Sequence, residues 1–384
     1  MITNFTIPKH IILGYDAIEQ SKPYFNLFGK KALIVTDNVM LSLKKVDPLK
    51  NMLSSLGIEY CIFSEINGEP TDTMVKEGVK IFLKNNCDFI VALGGGSPID
   101  TMKAIAVMST SDLPLSSYMG KNIQCEVPKM IAIPTTAGTG SEATKVTIIT
   151  DTQNNVKMLL KGEVLVPEMA IIDPSLALNT PGNITAATGL DALTHAIEAY
   201  TSKNANPLSD MFALSAIEKI FKFLPIAFDK TDDRVARDMM ARAAFEAGVA
   251  FNNSSVTIVH GMSRPIGAIF HVPHGISNAM LLKECLNFAI EGAIERFATL
   301  GKTVGLDTNG LSEKEIALKF LSEVSTLCNY CKIPTLKEYG INEEKFFSSL
   351  EKMAEDALIS GSPSNTRKVP TKEDIIEIYK KLWK

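Results

Sequence analysis

Asp191 and His195 stand four residues apart in the run from Gly189 to Tyr200, which reads as helix. That spacing sets a carboxylate and an imidazole on one helical face. Further along, the segment Val259 to Gly275 holds His260, His271 and His274, three of the chain's five histidines. Imidazole nitrogens with one carboxylate oxygen suit a borderline first-row ion such as iron(II) or zinc, whereas magnesium and calcium prefer oxygen shells. Asp191, His195, His260 and His274 are therefore read as metal ligands, with a place left for a substrate oxygen. The plainer alternative is an intrahelical Asp–His pair, with the later histidines satisfied in turns.

A second group of residues suits a phosphate. The apolar run Asp88 to Leu93 reads as a buried strand that ends directly in Gly94, Gly95 and Gly96. Glycines there allow close backbone approach and positive φ, while Ser97 and Pro98 suit the N-cap and first position of a following helix. Free N–H groups at such a helix start would cradle a pyrophosphate. The spacing is not the Gly-x-Gly-x-x-Gly fingerprint, and the same residues would also serve as a tight turn. A further loop, Pro134 to Glu142, follows the apolar strand Met130 to Ile133 and is rich in small hydroxyl residues. Its Thr135, Thr136 and Thr139 can reach a cofactor ribose or phosphate. Asp37 follows the strand Lys31 to Thr36, where a carboxylate would accept from an adenosine 2′-hydroxyl and repel a 2′-phosphate, favouring NAD over NADP. A turn-capping aspartate is the alternative.

The elements that must position these groups fall into two regimes. Strand-like Ile11 to Leu13 and Lys31 to Thr36, a helix from about Leu41 to Leu56, the strand Tyr60 to Phe63, a helix from about Thr73 to Asn85 and the strand Asp88 to Leu93 alternate. Alternation of this kind predicts a parallel, Rossmann-like sheet with crossover helices. Val146 to Thr150 and Lys157 to Leu160 read as a hairpin. After the strand Met169 to Asp173, helical periodicity takes over and strand patterns almost vanish. The expected organisation is an α/β dinucleotide-binding domain over residues 1–181 and an all-α metal-binding domain over 182–384, with a ligand lying between phosphate loops and metal. Ile375, Ile376, Ile378 and Leu382 mark a packed face on the last helix, Lys372 to Trp383.

Composition narrows the partners. A chain of 384 residues with 46% hydrophobic and 21% charged residues describes a soluble globular protein of two domains. Its net charge of −4, without a Lys/Arg block, argues against nucleic acid or an anionic membrane and leaves a small-molecule substrate. No apolar run reaches transmembrane length, and six scattered cysteines without a leader pattern point to the cytoplasm. Cys328 and Cys331 have the spacing of a redox or zinc pair but stand alone in a helical tail, where they read as packing.

From about Lys31 to the C-terminus the chain resembles the iron-containing (group III) alcohol dehydrogenases, whose fold is dehydroquinate synthase-like. The likeness lies in Gly189 to Tyr200, in His260 to Gly275, in Gly94 to Ser97 with Asp100, and in Pro134 to Glu142. It implies that Asp191, His195, His260 and His274 hold Fe2+, or Zn2+ in its place, and that Gly94, Gly95, Gly96, Ser97, Asp100, Thr135, Thr136 and Thr139 bind NAD. Lys157 matches a family lysine near the nicotinamide ribose. The implied activity is hydride transfer between NAD(H) and a small primary alcohol or aldehyde, by a homo-oligomer of two or more chains. Maleylacetate reductase and glycerol dehydrogenase are near alternatives, and a dehydroquinate synthase-like lyase or a non-catalytic binding protein are more distant ones. Two positions depart from the pattern. Glu69 stands where many relatives have Asn, and Arg264 stands where many carry a histidine thought to move the proton. Arginine stays protonated and cannot act as a base, although it can hold an anionic substrate group. His271 is the nearest remaining candidate for a proton relay.

Overall fold

Strands whose side chains are apolar on both faces dictate the first half of the molecule. In the computed structural model, which describes residues 4–154 and 156–383, the chain divides into two compact units, Thr6–Leu178 and Asn179–Lys384, the second also taking in Asn4 and Phe5. The first unit contains β1 (His10–Leu13), α1 (Ala17–Gln20), α2 (Lys22–Phe25), β2 (Lys31–Val35), α3 (Asn38–Ser42), α4 (Asp47–Ser55), β3 (Glu59–Phe63), α5 (Asp72–Lys84), β4 (Phe89–Gly94) and α6 (Gly96–Met108). β5 (Lys129–Pro134), β6 (Val146–Asp151), β7 (Val156–Lys161) and β8 (Met169–Ile172) complete it. Six strands form a parallel sheet in the order β1-β8-β5-β4-β2-β3, and β6 pairs antiparallel with β7 as the expected hairpin.

Alternate residues of each strand enter opposite cores. Ala32, Ile34, Phe89 and Val91 pack with Leu49 and Leu53 of α4. Leu33, Val35, Ile90 and Ala92 pack with Ile99 and Met102 of α6 and with Met158 and Leu160 of the hairpin. Burial on both faces is what turns these strands into unbroken apolar runs.

Two local expectations are corrected. The single helix from Leu41 to Leu56 is two helices, because Lys44 takes the left-handed region at φ 56° and the chain restarts at Asp47, with Pro48 in the first turn where its missing N–H does no harm. The helix after the glycines starts earlier than Ser97: Gly95 is its N-cap and Gly96 its first residue, so Ser97 and Pro98 lie inside the first turn. Nor do these three glycines take positive φ. Gly94 is required for space instead, since a Cβ there would lie 2.5 Å from Pro98 Cγ.

The second unit is helical: α7 (Gly182–Thr201), α8 (Pro207–Asp229), α9 (Arg234–Asn252), α10 (Ile258–Phe270), α11 (His274–Ala289), α12 (Ile294–Thr303), α13 (Glu313–Tyr330), α14 (Glu343–Ser348), α15 (Leu350–Ile359) and α16 (Lys372–Lys381). Among the described residues no strand follows β8. From Leu190 to Thr201 α7 is buried all round, as befits a helix packed among α8, α9 and α11. On α16 the buried residues are Ile375, Ile378 and Tyr379, while Ile376 and Leu382 are only half-buried. Tyr379 fixes that helix by donating its hydroxyl to Met262 O at 2.7 Å. No helix among the described residues is long and apolar enough to cross a membrane.

Candidate active site

On α7, Asp191, His195 and Glu198 occupy positions i, i+4 and i+7, one face of the helix, and all three are buried. α10 brings His260 and α11 brings His274 to the same face. His260 Nε2 lies 3.7 Å and His274 Nε2 3.6 Å from Asp191 Oδ1, and His195 Nδ1 lies 3.9 Å from Asp191 Oδ2. Asp191, His195 and His260 offer ligand atoms that all lie within 4.8 Å of one another. The His195 ring is stacked between Phe251 and His260, with centroids 4.2 and 4.3 Å away, which fixes its plane.

Glu198 supports this cluster from behind. Its Oε1 accepts from Thr257 Oγ1 at 2.8 Å and from Val259 N at 2.6 Å, and its Oε2 accepts from His260 Nδ1. The carboxylate thus caps the N-terminus of α10, whose own N-cap residue Thr257 makes no side-chain cap, and turns the imidazole so that Nε2 faces Asp191. Asn278, one turn along α11 from His274, donates Nδ2 to Asp191 Oδ1 at 2.7 Å and lies 3.2 Å from Nε2 of both His260 and His274.

The electrostatics follow from buried carboxylates facing two buried imidazoles, His195 and His260, and the exposed His274. Burial works to raise the Asp191 carboxyl, but His195, His274 and His260 together hold it well below the usual carboxylate range. Burial drives His195 down to about 3 against the pull of Asp191, so its ring is neutral and keeps a lone pair. For His260 burial is overcome by Glu198 and Asp191, which raise it to about 9. With Nδ1 committed to Glu198, the proton so favoured sits at Nε2, where a metal ion would displace it. His195 Nδ1 is buried without a hydrogen-bond partner. That orphaned nitrogen, together with a donor set of one carboxylate and three imidazoles, fits a divalent iron or zinc ion.

The cofactor candidates gather in the first unit. β5, β4 and β2 are neighbours in the sheet, and their carboxyl ends carry Thr135 to Gly140, Gly94 to Gly96, and Asp37. The strand order reverses between β2 and β4, the place where parallel sheets bind ligands. Thr36 Oγ1 donates to Leu93 O at 2.7 Å and Thr135 N to Gly94 O at 2.9 Å, tying the three ends together. A Cβ on Gly96 would come within 3.0 Å of Thr139 Cγ2, so the two loops are in contact. Ser97 and the glycines stand at the N-terminus of α6, whose N–H groups are open to an anion.

Three of the predicted residues have partners of their own. Asp37 is the N-cap of α3, Oδ1 accepting from Met40 N at 2.9 Å. Asp100 accepts from Ser141 Oγ at 2.6 Å and Ile148 N at 3.0 Å, joining α6 to the second loop and to β6. Lys157 pairs with Glu69 at 2.7 Å, so both residues that drew attention in the sequence meet each other. His271 is exposed and closes α10 in the left-handed region at φ 56°. Burial lowers the Arg264 guanidinium while Glu198 pulls the other way.

Three residues escaped the sequence reading. Glu198 was signalled by its helical spacing from Asp191 and His195, and Asn278 by its spacing from His274. Lys103 carried no local signal. It is fully buried and donates to the carbonyls of Ser141 (2.7 Å), Thr144 (2.8 Å) and Val146 (2.9 Å), pinning the second loop to α6.

A cluster of one carboxylate and three imidazoles stands on the helical unit, and glycine- and threonine-rich loops stand at the carboxyl ends of a parallel sheet. Residues 8–174 match the family described as iron-containing alcohol dehydrogenase, and residues 185–383 match its C-terminal family. The chain is 37% identical over 382 residues to NAD-dependent methanol dehydrogenase of Bacillus methanolicus, covering 99% of each chain. It is 39% identical over 386 residues to 1,3-propanediol dehydrogenase of Citrobacter freundii, covering 99% of this chain and 98% of the other. A crystal structure of 1,3-propanediol oxidoreductase superposes with a TM-score of 0.96 at 34% identity, covering 100% of both chains. The chain belongs to the iron-containing alcohol dehydrogenase family and is an oxidoreductase.

Proposed function

We propose that the enzyme moves hydride between NAD(H) and a small primary alcohol or its aldehyde, using a divalent ion, iron(II) or zinc, held by Asp191, His195, His260 and His274. The observation that carries this reading is the convergence of one carboxylate and three imidazoles around Asp191, with Glu198 orienting His260. When bound, the ion supplies a Lewis acid for the substrate oxygen and the nicotinamide supplies the hydride acceptor. Glu198 keeps His260 Nε2 aimed at Asp191, and the stacked Phe251 keeps His195 in plane. The N–H groups at the start of α6, with Thr136 and Thr139, receive the pyrophosphate, and Asp37 receives the adenosine ribose. Support for the substrate class comes from the names of the two relatives, which act on methanol and 1,3-propanediol, both small primary alcohols.

The test is a panel of methanol, ethanol, butanol and 1,3-propanediol, with NAD or NADP, on protein stripped of metal and reloaded with iron(II) or zinc. NAD reduction that needs the metal is expected. Full turnover after stripping, or stoichiometric metal without any reduction of NAD, would overturn the reading.

A further inference from the structure

Cys61 and Cys87 lie 26 residues apart in the chain, yet their sulfurs are 3.4 Å apart. Cys61 sits on β3, the edge strand of the sheet, paired in register with Leu33. Cys87 follows the turn between α5 and β4, just after Asn86, which takes the left-handed region at φ 50°. The two side chains meet beside β2. A disulfide needs the sulfurs at about 2.05 Å, so each has well under 1 Å to travel. Cys87 precedes the first ladder pair of β4, its N–H donating to Phe82 O at 3.1 Å rather than to a strand.

The pair is asymmetric. Cys61 is half-buried and opens onto a surface depression lined by Lys31, Ser54, Gly57, Glu59, Tyr60 and Asn85. Cys87 is buried behind it. A hydrogen bond from Cys87, and then the nearby Lys31 ammonium, bring the Cys61 thiol down to about 7 against the effect of burial. Cys87 itself is raised, chiefly by that same bond to Cys61 and by burial. The solvent-reachable sulfur is therefore that of Cys61, with Cys87 Sγ in contact behind it, the arrangement that an oxidised cysteine and its resolving partner require. Cys328 and Cys331, which have the sequence spacing of a redox motif, behave otherwise: burial pushes both up to about 12.

We propose that Cys61 and Cys87 form a peroxide-responsive dithiol, in which Cys61 is oxidised first and Cys87 resolves it into an intramolecular disulfide joining β3 to the turn before β4. The Cys61 thiolate attacks one peroxide oxygen, the O–O bond breaks, and water or an alcohol leaves with a proton, so that Cys61 loses two electrons and becomes a sulfenic acid. Cys87 Sγ then gives up its proton and attacks that sulfur. The S–S bond forms, the S–O bond breaks, and the hydroxide departs with the proton as water. A small dithiol reverses the reaction by exchange.

The test uses the full-length enzyme at defined zinc content, titrated with hydrogen peroxide, alkylated, and mapped by mass spectrometry without reduction. Expected is a Cys61–Cys87 cross-linked peptide at peroxide concentrations about tenfold below those that modify Cys125 or Cys328, with both thiols recovered by dithiothreitol. In Cys87→Ser, dimedone should label Cys61 and no cross-link should form; in Cys61→Ser, Cys87 should take neither modification. The wild-type map decides the matter even if a variant folds poorly. Cys61 passing to sulfinic acid in the wild type without cross-linking, or staying reduced while Cys125 or Cys328 oxidise, overturns the proposal.

Discussion

Glu198 and His260, 62 residues apart, are joined by a hydrogen bond from Nδ1 to Oε2 while the other carboxylate oxygen holds the first turn of α10. One side chain thus sets both the direction of an imidazole and the start of the helix that carries it. Glu198→Gln is expected to weaken metal binding by roughly 10- to 100-fold with little change in melting temperature. Glu198→Ala should in addition lower the melting temperature, because the α10 N–H groups lose their acceptor. Chelator competition with elemental analysis measures the first effect and a thermal melt the second. Undiminished metal affinity in Glu198→Gln would remove the residue from the site.

Lys103 holds three carbonyls of the second loop and its exit from inside the first unit. A hydrogen bond from a charged donor contributes about 1.5–3 kcal/mol, and the buried acceptors have no water to replace it. Lys103→Met should therefore lower the melting temperature and raise the KM for NAD about tenfold or more, with kcat much less affected. An unchanged KM would show that the loop holds its shape without this anchor.

Glu142, at the end of the same loop, is buried, and burial raises its carboxyl from 4.5 to about 7. The folded state therefore keeps the proton longer than the unfolded chain. Its favourable contribution is fully present below about pH 4.5 and is lost as pH rises through about 7. Glu142→Gln, which stays neutral throughout, should match the wild type in thermal melts near pH 5 and exceed it at pH 8. Equal melting temperatures at both pH values would contradict the assignment.

Asp37 both caps α3 and stands at the end of β2. Replacement by Ser keeps a capping oxygen while removing the charge, which separates the two roles. Asp37→Ser is expected to retain the wild-type melting temperature and to raise the kcat/KM for NADP relative to NAD by about tenfold, since the repulsion of a 2′-phosphate is gone. A wild type that uses both cofactors equally, or no gain in the variant, counts against the ribose role.

Arg264 and His271 are tested together, through pH profiles of alcohol oxidation with metal content checked in each variant. His271→Asn preserves a residue type tolerant of the left-handed backbone and removes the ring. One ionisation should disappear from the profile if the ring relays the proton, and an identical profile eliminates it. Arg264→Ala should raise KM for acidic substrates while leaving neutral alcohols unaffected; a uniform loss of activity would make it a structural residue instead.

The sheet and much of the site were readable in the chain because their signals are local. Doubly buried strands print as apolar runs, a glycine cluster marks the turn after β4, and Asp191 and His195 share a helix face by spacing alone. The break at Lys44 was not readable, since a left-handed lysine leaves no mark in hydrophobic periodicity. Contacts between distant segments were decided by the tertiary structure: Lys103 reaching the carbonyls of Ser141 and Thr144, Glu198 meeting His260, and Asp100 turned toward Ser141 and Ile148. The cysteines show the division most sharply. Sequence spacing singles out Cys328 and Cys331, which burial keeps as thiols, whereas the sulfurs that meet belong to Cys61 and Cys87, because a parallel sheet places β3 and the start of β4 on either side of β2 and so brings distant residues within contact.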